Sequence, residues 1–123
     1  MNTKRILVVD DESSIRSFVG TSMRQDGYEV VEAENGLQAL QTLKATLIDL
    51  VILDIAMPNM DGFEVCRQIR LSSEIPIIMI SAQEDELSKV KSLHLGADDY
   101  LVKPFELKEL RTVILRHLPS SET

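Results

Sequence analysis

Five polar residues of this chain directly follow apolar runs, and their types suit one chemistry. Asp10 and Asp11 come straight after Ile6–Val9 in KRILVVDDE, and Asp54 follows Leu50–Leu53 in LVILDIAMPNMDG. Ser81 ends the run in IPIIMISA, and Lys103 closes the one in DDYLVKPF. Carboxylates crowded together raise one another's pKa and cannot all ionise cheaply without a counter-ion. A hard divalent cation relieves that repulsion, and oxygen ligands with retained waters are the preference of Mg²⁺. Lys103 brings a second positive charge and Ser81 a hydroxyl donor. Such a set suits a phosphoryl group. Asp54 is the candidate nucleophile, because carboxylates form covalent aspartyl-phosphates. The other groups would hold a donor in line and take up the charge of the moving phosphoryl group.

Each of these residues alone has a plainer reading. A lone acid after a strand caps the next helix, a lone serine does the same, and a lone lysine is a solvated charge. Their coincidence at corresponding places is what counts, and that depends on the elements carrying them. Apolar runs predict strands at Ile6–Val9, Tyr28–Ala33, Leu50–Leu53, Ile75–Ile80 and Asp99–Val102. Between them, apolar residues recur every three or four positions, as helices require. The first such set is Ile15, Phe18, Val19 and Met23, introduced by Ser13 and Ser14 as possible caps. The second is Leu37, Leu40 and Leu43 after the turn pair Asn35-Gly36, and the third is Phe63, Cys66 and Ile69. The fourth is Leu87, Val90 and Leu93; the fifth is Leu107, Leu110, Ile114 and Leu118, closed by Pro119.

Strands that are apolar throughout are buried on both faces, and their alternation with helices implies right-handed βαβ units and a parallel sheet. Ligands of such open α/β sheets bind beyond the carboxyl ends of the strands. Four of the five predicted strands end there in a chargeable or hydroxyl side chain. The second, placed at an edge, contributes nothing comparable.

Size and composition agree. At 123 residues the chain makes one domain. Its apolar fraction of 44% and charged fraction of 27% are those of a soluble globular protein. A net charge of −7 repels phosphate backbones, so no direct nucleic-acid binding by this chain is expected. The single cysteine, Cys66, allows no internal disulfide and reads as core filler. MNTKR is followed by no signal-peptide core, and no apolar run reaches the roughly 20 residues of a membrane helix. A cytoplasmic location is expected.

The motifs ILVVDDE, DIAMPNMDG, ISA and GADDYLVKPF, in that order and spacing, resemble the receiver domain of two-component response regulators over residues 4–118. The resemblance implies a flavodoxin-like sheet of order 2-1-3-4-5 with five helices. It implies that Asp54 accepts a phosphoryl group from a phosphohistidine on a sensor histidine kinase or phosphotransfer protein. It assigns Mg²⁺ to Asp11, Asp54 and the backbone carbonyl of Ala56, with Asp10 acting mainly through water. Ser81 and Lys103 would contact the phosphoryl oxygens. Tyr100 matches the switch aromatic that moves with Ser81, and the Lys103–Pro104 bond is expected to be cis. Pro58, Gly62 and Pro104 shape loops. Glu12 reads as a helix-start acid, and His94 and His117 as solvated surface residues. The domain would signal to an output domain or effector through the face made by the fourth helix, fifth strand and fifth helix. It would act as a signalling domain rather than an enzyme.

Two departures from that family stand out. Ala56 is small where many relatives carry a bulkier side chain, which leaves the phosphoryl face open to water and small donors. Lys89, Lys91, Asp98 and Asp99 are candidates for a charged dimer face, yet Val113 stands where an arginine is expected, so a monomer or a phosphorylation-dependent dimer both remain open. Residues 119–123 are a tail or the start of a linker, for a stand-alone receiver or the first part of a longer regulator. No P-loop and no G-x-G-x-x-G is present. A Mg-dependent aspartyl-phosphate phosphatase would want a second acid at position 56. A flavin-binding flavodoxin-like protein would not place acids after its first strand.

Overall fold

The computed structural model describes residues 3–82 and 86–118. Five strands and five helices alternate: β1 (Arg5–Val9), α1 (Ser13–Gln25), β2 (Glu29–Ala33), α2 (Gly36–Ala45), β3 (Leu50–Asp54), α3 (Gly62–Arg70), β4 (Ile77–Ser81), α4 (Glu86–His94), β5 (Asp99–Val102) and α5 (Leu107–His117). All strands are parallel, in the order β2-β1-β3-β4-β5. The three central strands are apolar because both of their faces are covered.

Alternation along each strand divides the core in two. Leu7, Val9, Val51, Leu53, Ile77 and Met79 face Ala39 of α2 and Val65, Cys66 and Ile69 of α3. Ile6, Val8, Leu50, Ile52, Ile78 and Ile80 face Val19 and Met23 of α1 and Leu110, Val113 and Ile114 of α5. Every residue of β3 and β4 is buried. Burying an aliphatic side chain of this size contributes about 1.5–3 kcal/mol, so the sheet rim is anchored from below on both sides. Cys66 is fully buried, as core filler should be.

Some expectations shift. The strand expected from Tyr28 begins at Glu29, and the one expected from Ile75 begins at Ile77. Pro76 has no amide to donate, so regular pairing starts after it. Ser13 and Ser14 lie inside α1 rather than capping it; Glu12 holds the cap position without a side-chain cap bond. Asn35 does cap α2, accepting from the Gln38 amide at 2.8 Å.

The largest correction concerns α4. Leu87, Val90 and Leu93 point to solvent, whereas Ser88 and Ser92 are buried. Ser92 stays satisfied by donating to the Ser88 carbonyl at 2.9 Å. Phe18 and Leu37 are also exposed instead of joining the core. Helical period identifies a stripe, but not which side of the helix the sheet lies on. Val113 faces the core, so it contributes no surface residue where an arginine was expected. Pro119 and the tail at 119–123 lie outside the described residues.

Candidate functional site

The rim beyond β1, β3, β4 and β5 gathers the residues singled out by type. Asp54 is the last residue of β3, and its register partner is Ile80, one residue before Ser81. The Ile55 amide continues the ladder to the Ile80 carbonyl at 2.9 Å. The chain then turns back sharply, with the Met57 and Gly62 amides both reaching the Ile55 carbonyl, at 3.1 and 2.8 Å. Asn59 takes a left-handed conformation at φ 71° inside this loop, next to Pro58. Gly62 must lack a side chain, because a Cβ there would run into the Asp54 carbonyl and the Ile55 backbone. The loop is thus folded tightly beneath the Asp54 carboxylate. Asp61 caps the helix that follows by accepting from the Glu64 amide at 2.9 Å.

Asp10, Asp11 and Asp54 each offer a carboxylate oxygen within 4.8 Å of the others. Asp10 and Asp54 are buried and Asp11 is exposed. Lys103, just past β5, reaches into this group: its Nζ lies 3.0 Å from Asp10 Oδ2, 3.3 Å from Asp54 Oδ1 and 3.7 Å from Glu12 Oε1. The contact to Glu12 was not visible in the sequence, where that residue reads only as a helix-start acid. The Lys103 amide donates to the Ser81 carbonyl at 2.7 Å, which ties the lysine to the end of β4. The Lys103–Pro104 peptide is cis.

The three acids are not equivalent. Both oxygens of Asp10 are engaged, Oδ1 by the Glu12 amide at 2.9 Å and Oδ2 by Lys103. Asp11 stands open to solvent at the mouth. Burial, reinforced by repulsion from Asp10, pushes the Asp54 carboxyl up from its ordinary 3.8 to about 6, although Lys103 pulls the other way. Burial disfavours the Lys103 charge, but hydrogen bonds and attraction from Asp10 and Asp54 together outweigh it and raise its pKa. A cation at this cluster would lower the cost of ionising Asp54, and hard carboxylate oxygens suit Mg²⁺ better than a soft metal.

Ser81 is fully buried at the end of β4, and Ala56 is exposed two residues beyond Asp54. Tyr100, paired with Met79 across β4 and β5, is half-buried against the core on the α2 and α3 side. Away from the rim, three of the four charged candidates for the dimer face have partners in the chain. Asp98 binds Arg70 at 2.8 Å, Lys91 lies 4.3 Å from the centre of the Phe63 ring, and Asp99 binds Arg116 at 3.1 Å. His117, expected to be solvated, is half-buried with Nε2 3.0 Å from Asp99. The Asp99 carboxyl feels burial first, but bonds from His117, the Tyr100 amide and Arg116 hold it below its usual value. His94 is exposed. Among the described residues no helix is long and apolar enough to cross a membrane.

Comparison with known proteins bears on this arrangement. The family model for the response regulator receiver domain matches residues 6–115. A probable transcriptional regulator, ycf27, of Cyanophora paradoxa is 48% identical over 122 residues, covering 99% of this chain and 51% of the relative. The chain spans about half the length of the curated relatives it matches. Among solved structures, the response regulator TrrA from Thermotoga maritima in complex with Mg(2+)-BeF is 41% identical with a TM-score of 0.86, covering 94% of this chain and all of that one. Chemotaxis protein CheY4 of Vibrio cholerae is 34% identical with a TM-score of 0.90, covering 95% of this chain and all of that one.

Proposed function

The chain belongs to the response regulator receiver domain family, and from that premise we propose that its residues 4–118 receive a phosphoryl group on Asp54. The donor is a phosphohistidine of a sensor kinase or phosphotransfer protein. An Asp54 oxygen attacks the phosphorus, the P–N bond breaks, and the freed imidazole takes a proton. Ser81 donates to one phosphoryl oxygen and Lys103 pairs with another. Lys103 therefore exchanges its hold on Asp54 for the incoming charge.

Asp11, Asp54 and the Ala56 carbonyl would hold a magnesium ion, with Asp10 acting through water. The contacts support this division: Asp10 has both oxygens spoken for, while Asp11 is open. When bound, Mg²⁺ supplies positive charge for the acid cluster and the phosphoryl oxygens. The observation that carries this reading is the Lys103 ammonium paired with Asp10 and Asp54 of a three-carboxylate cluster at one rim. A phosphatase-like alternative has no second acid at position 56.

The output follows from the same site. The family is a signalling one, and phosphorylation shifts a pre-existing equilibrium between two arrangements. Ser81 and Tyr100 would couple the rim to the face of α4, β5 and α5, where Leu87, Val90, Leu93 and Leu115 are exposed. An output domain or effector protein would dock there. Asp98, Asp99 and Lys91 are already engaged within the chain, which disfavours a dimer bridged by those charges. A cytoplasmic signalling domain that performs no independent metabolic reaction fits these features.

The test is direct. With Mg²⁺ and a small phosphodonor, the protein should gain one phosphoryl mass that hydroxylamine releases, and Asp54→Asn should abolish the gain. A label on another side chain would overturn the assignment.

A further inference from the structure

Arg16 supports the rim from outside it. It sits in α1, and its guanidinium is mostly covered, with the side chain 14% exposed. Nη1 donates to the backbone carbonyl of Asp10 at 2.6 Å, and Nε lies 3.5 Å from Glu32 Oε1. Glu32 belongs to β2 and also pairs with Arg24 at 3.4 Å. The Asp10 amide in turn donates to Ala33 of the same strand at 3.2 Å. The edge strand brings no residue to the rim, yet it holds the Asp10 amide directly and, through Glu32 and Arg16, steadies its carbonyl.

The consequence falls on Asp11. The Asp10 carbonyl and the Asp11 amide share one rigid peptide plane, so fixing the carbonyl fixes where the Asp11 side chain begins. Asp10 is secured further through its carboxylate. Asp11 is exposed, and among the described residues no hydrogen bond to its carboxylate accompanies it. Its aim depends on the peptide behind it. We infer that Arg16 is a positioning residue: it locks the Asp10–Asp11 peptide so that Asp11 faces Asp54 across the cation site. The inference rests on the reading of that rim as a Mg²⁺-dependent phosphoacceptor site.

Charge and geometry make opposite predictions here. A cation beside a divalent-ion site repels the metal, so removing Arg16 for its charge alone would tighten Mg²⁺ binding. Removing an anchor of a ligand weakens it, and outer partners of metal ligands typically contribute tenfold or more in affinity. Glu32 already offsets the guanidinium charge, which leaves the geometric role dominant.

The experiment is a calorimetric Mg²⁺ titration of the intact chain, with thermal unfolding measured separately. Arg16→Ala and Arg16→Gln should each weaken Mg²⁺ binding about tenfold. The Mg²⁺ concentration giving half-maximal phosphorylation by a small donor should rise by the same factor, with the rate recovering at saturating Mg²⁺. Arg16→Lys covers the case in which the neutral variants do not fold. A lysine ammonium lacks the fork that serves a carbonyl and a carboxylate together, so it too should lose affinity. Wild-type or tighter Mg²⁺ binding in a folded variant would overturn the inference. If instead the unaltered chain took up no Mg²⁺, or bound it equally well with Asp54→Asn, the reading of the rim itself would fall.

Discussion

Replacing Asp54 by Asn should stabilise the metal-free protein, and the gain should depend on pH in a defined way. The folded chain holds the Asp54 proton up to about pH 6, whereas an ordinary carboxyl releases it near 3.8. Between those values the folded state binds more protons than the unfolded state, so stability falls as pH rises through the window. Above it the full difference of roughly two pKa units applies, worth about 3 kcal/mol at about 1.36 kcal/mol per unit. Asparagine carries no charge at any pH and resembles the protonated acid in shape. Asp54→Asn should therefore gain about 3 kcal/mol at pH 7.5, about half of that at pH 5, and almost nothing at pH 3.5. For a chain of this length the gain at pH 7.5 corresponds to a rise of about 10 °C in Tm.

Chemical denaturation in chelator-treated buffer at those three pH values is the assay. Mg²⁺ should narrow the gap, because it binds the native wild-type acid cluster and adds about 1.4 kcal/mol at ten times its Kd. The variant, one carboxylate short, should gain less. A variant equal to or weaker than wild type at pH 7.5 without metal would refute the reasoning, and so would a gap that ignores pH. Either result would mean that burial and Asp10 do not destabilise the ionised Asp54.

Other expectations follow from the same geometry. Gly62→Ala forces a Cβ into the backbone of Asp54 and Ile55, and should cost about 3 kcal/mol or more in denaturant unfolding. Ala56→Met should lengthen the lifetime of the phosphorylated form severalfold by covering the open face, read from the decay of the acyl phosphate; an unchanged lifetime counts against the access argument. Val113→Arg restores the residue expected on the surface but drives a charge into the α5 core face, and should destabilise by about 3 kcal/mol. Leu87→Glu, at a side chain 81% exposed, should change stability by no more than about 0.5 kcal/mol while abolishing effector binding in a pull-down.

The rim was legible because each of its residues ends a strand or comes just after one, and parallel topology delivers all strand ends to one place. Asp10, Asp54, Ser81 and Lys103 needed only their sequence neighbours to be located. Residues that act across elements left no such trace. Arg16 is one of thirteen basic residues, and nothing in its surroundings announces the Asp10 carbonyl or the Glu32 carboxylate. His117 looked solvated for the same reason: its partner, Asp99, lies 18 residues away. Pairings of this kind are set by three-dimensional register, which periodicity does not encode.

The fourth helix shows where the sequence reading fails for a physical reason rather than for want of signal. Its apolar residues recur at helical spacing, and a single stripe is normally assigned to the core. Here Leu87, Val90 and Leu93 face outward, while the serines at 88 and 92, four residues apart, face the sheet. That reversal gives up apolar burial on the inner face. Leu95, just past the helix, packs against the core closed by α2 and α3, and Ser92 satisfies itself on the Ser88 carbonyl. A helix with so little apolar hold on its sheet is comparatively free to shift, and one with leucines outside has somewhere else to bury them. Both properties suit the role proposed for this element, responding to Ser81 at one end and meeting a partner along its length. The exception to core patterning thus coincides with the surface proposed for output.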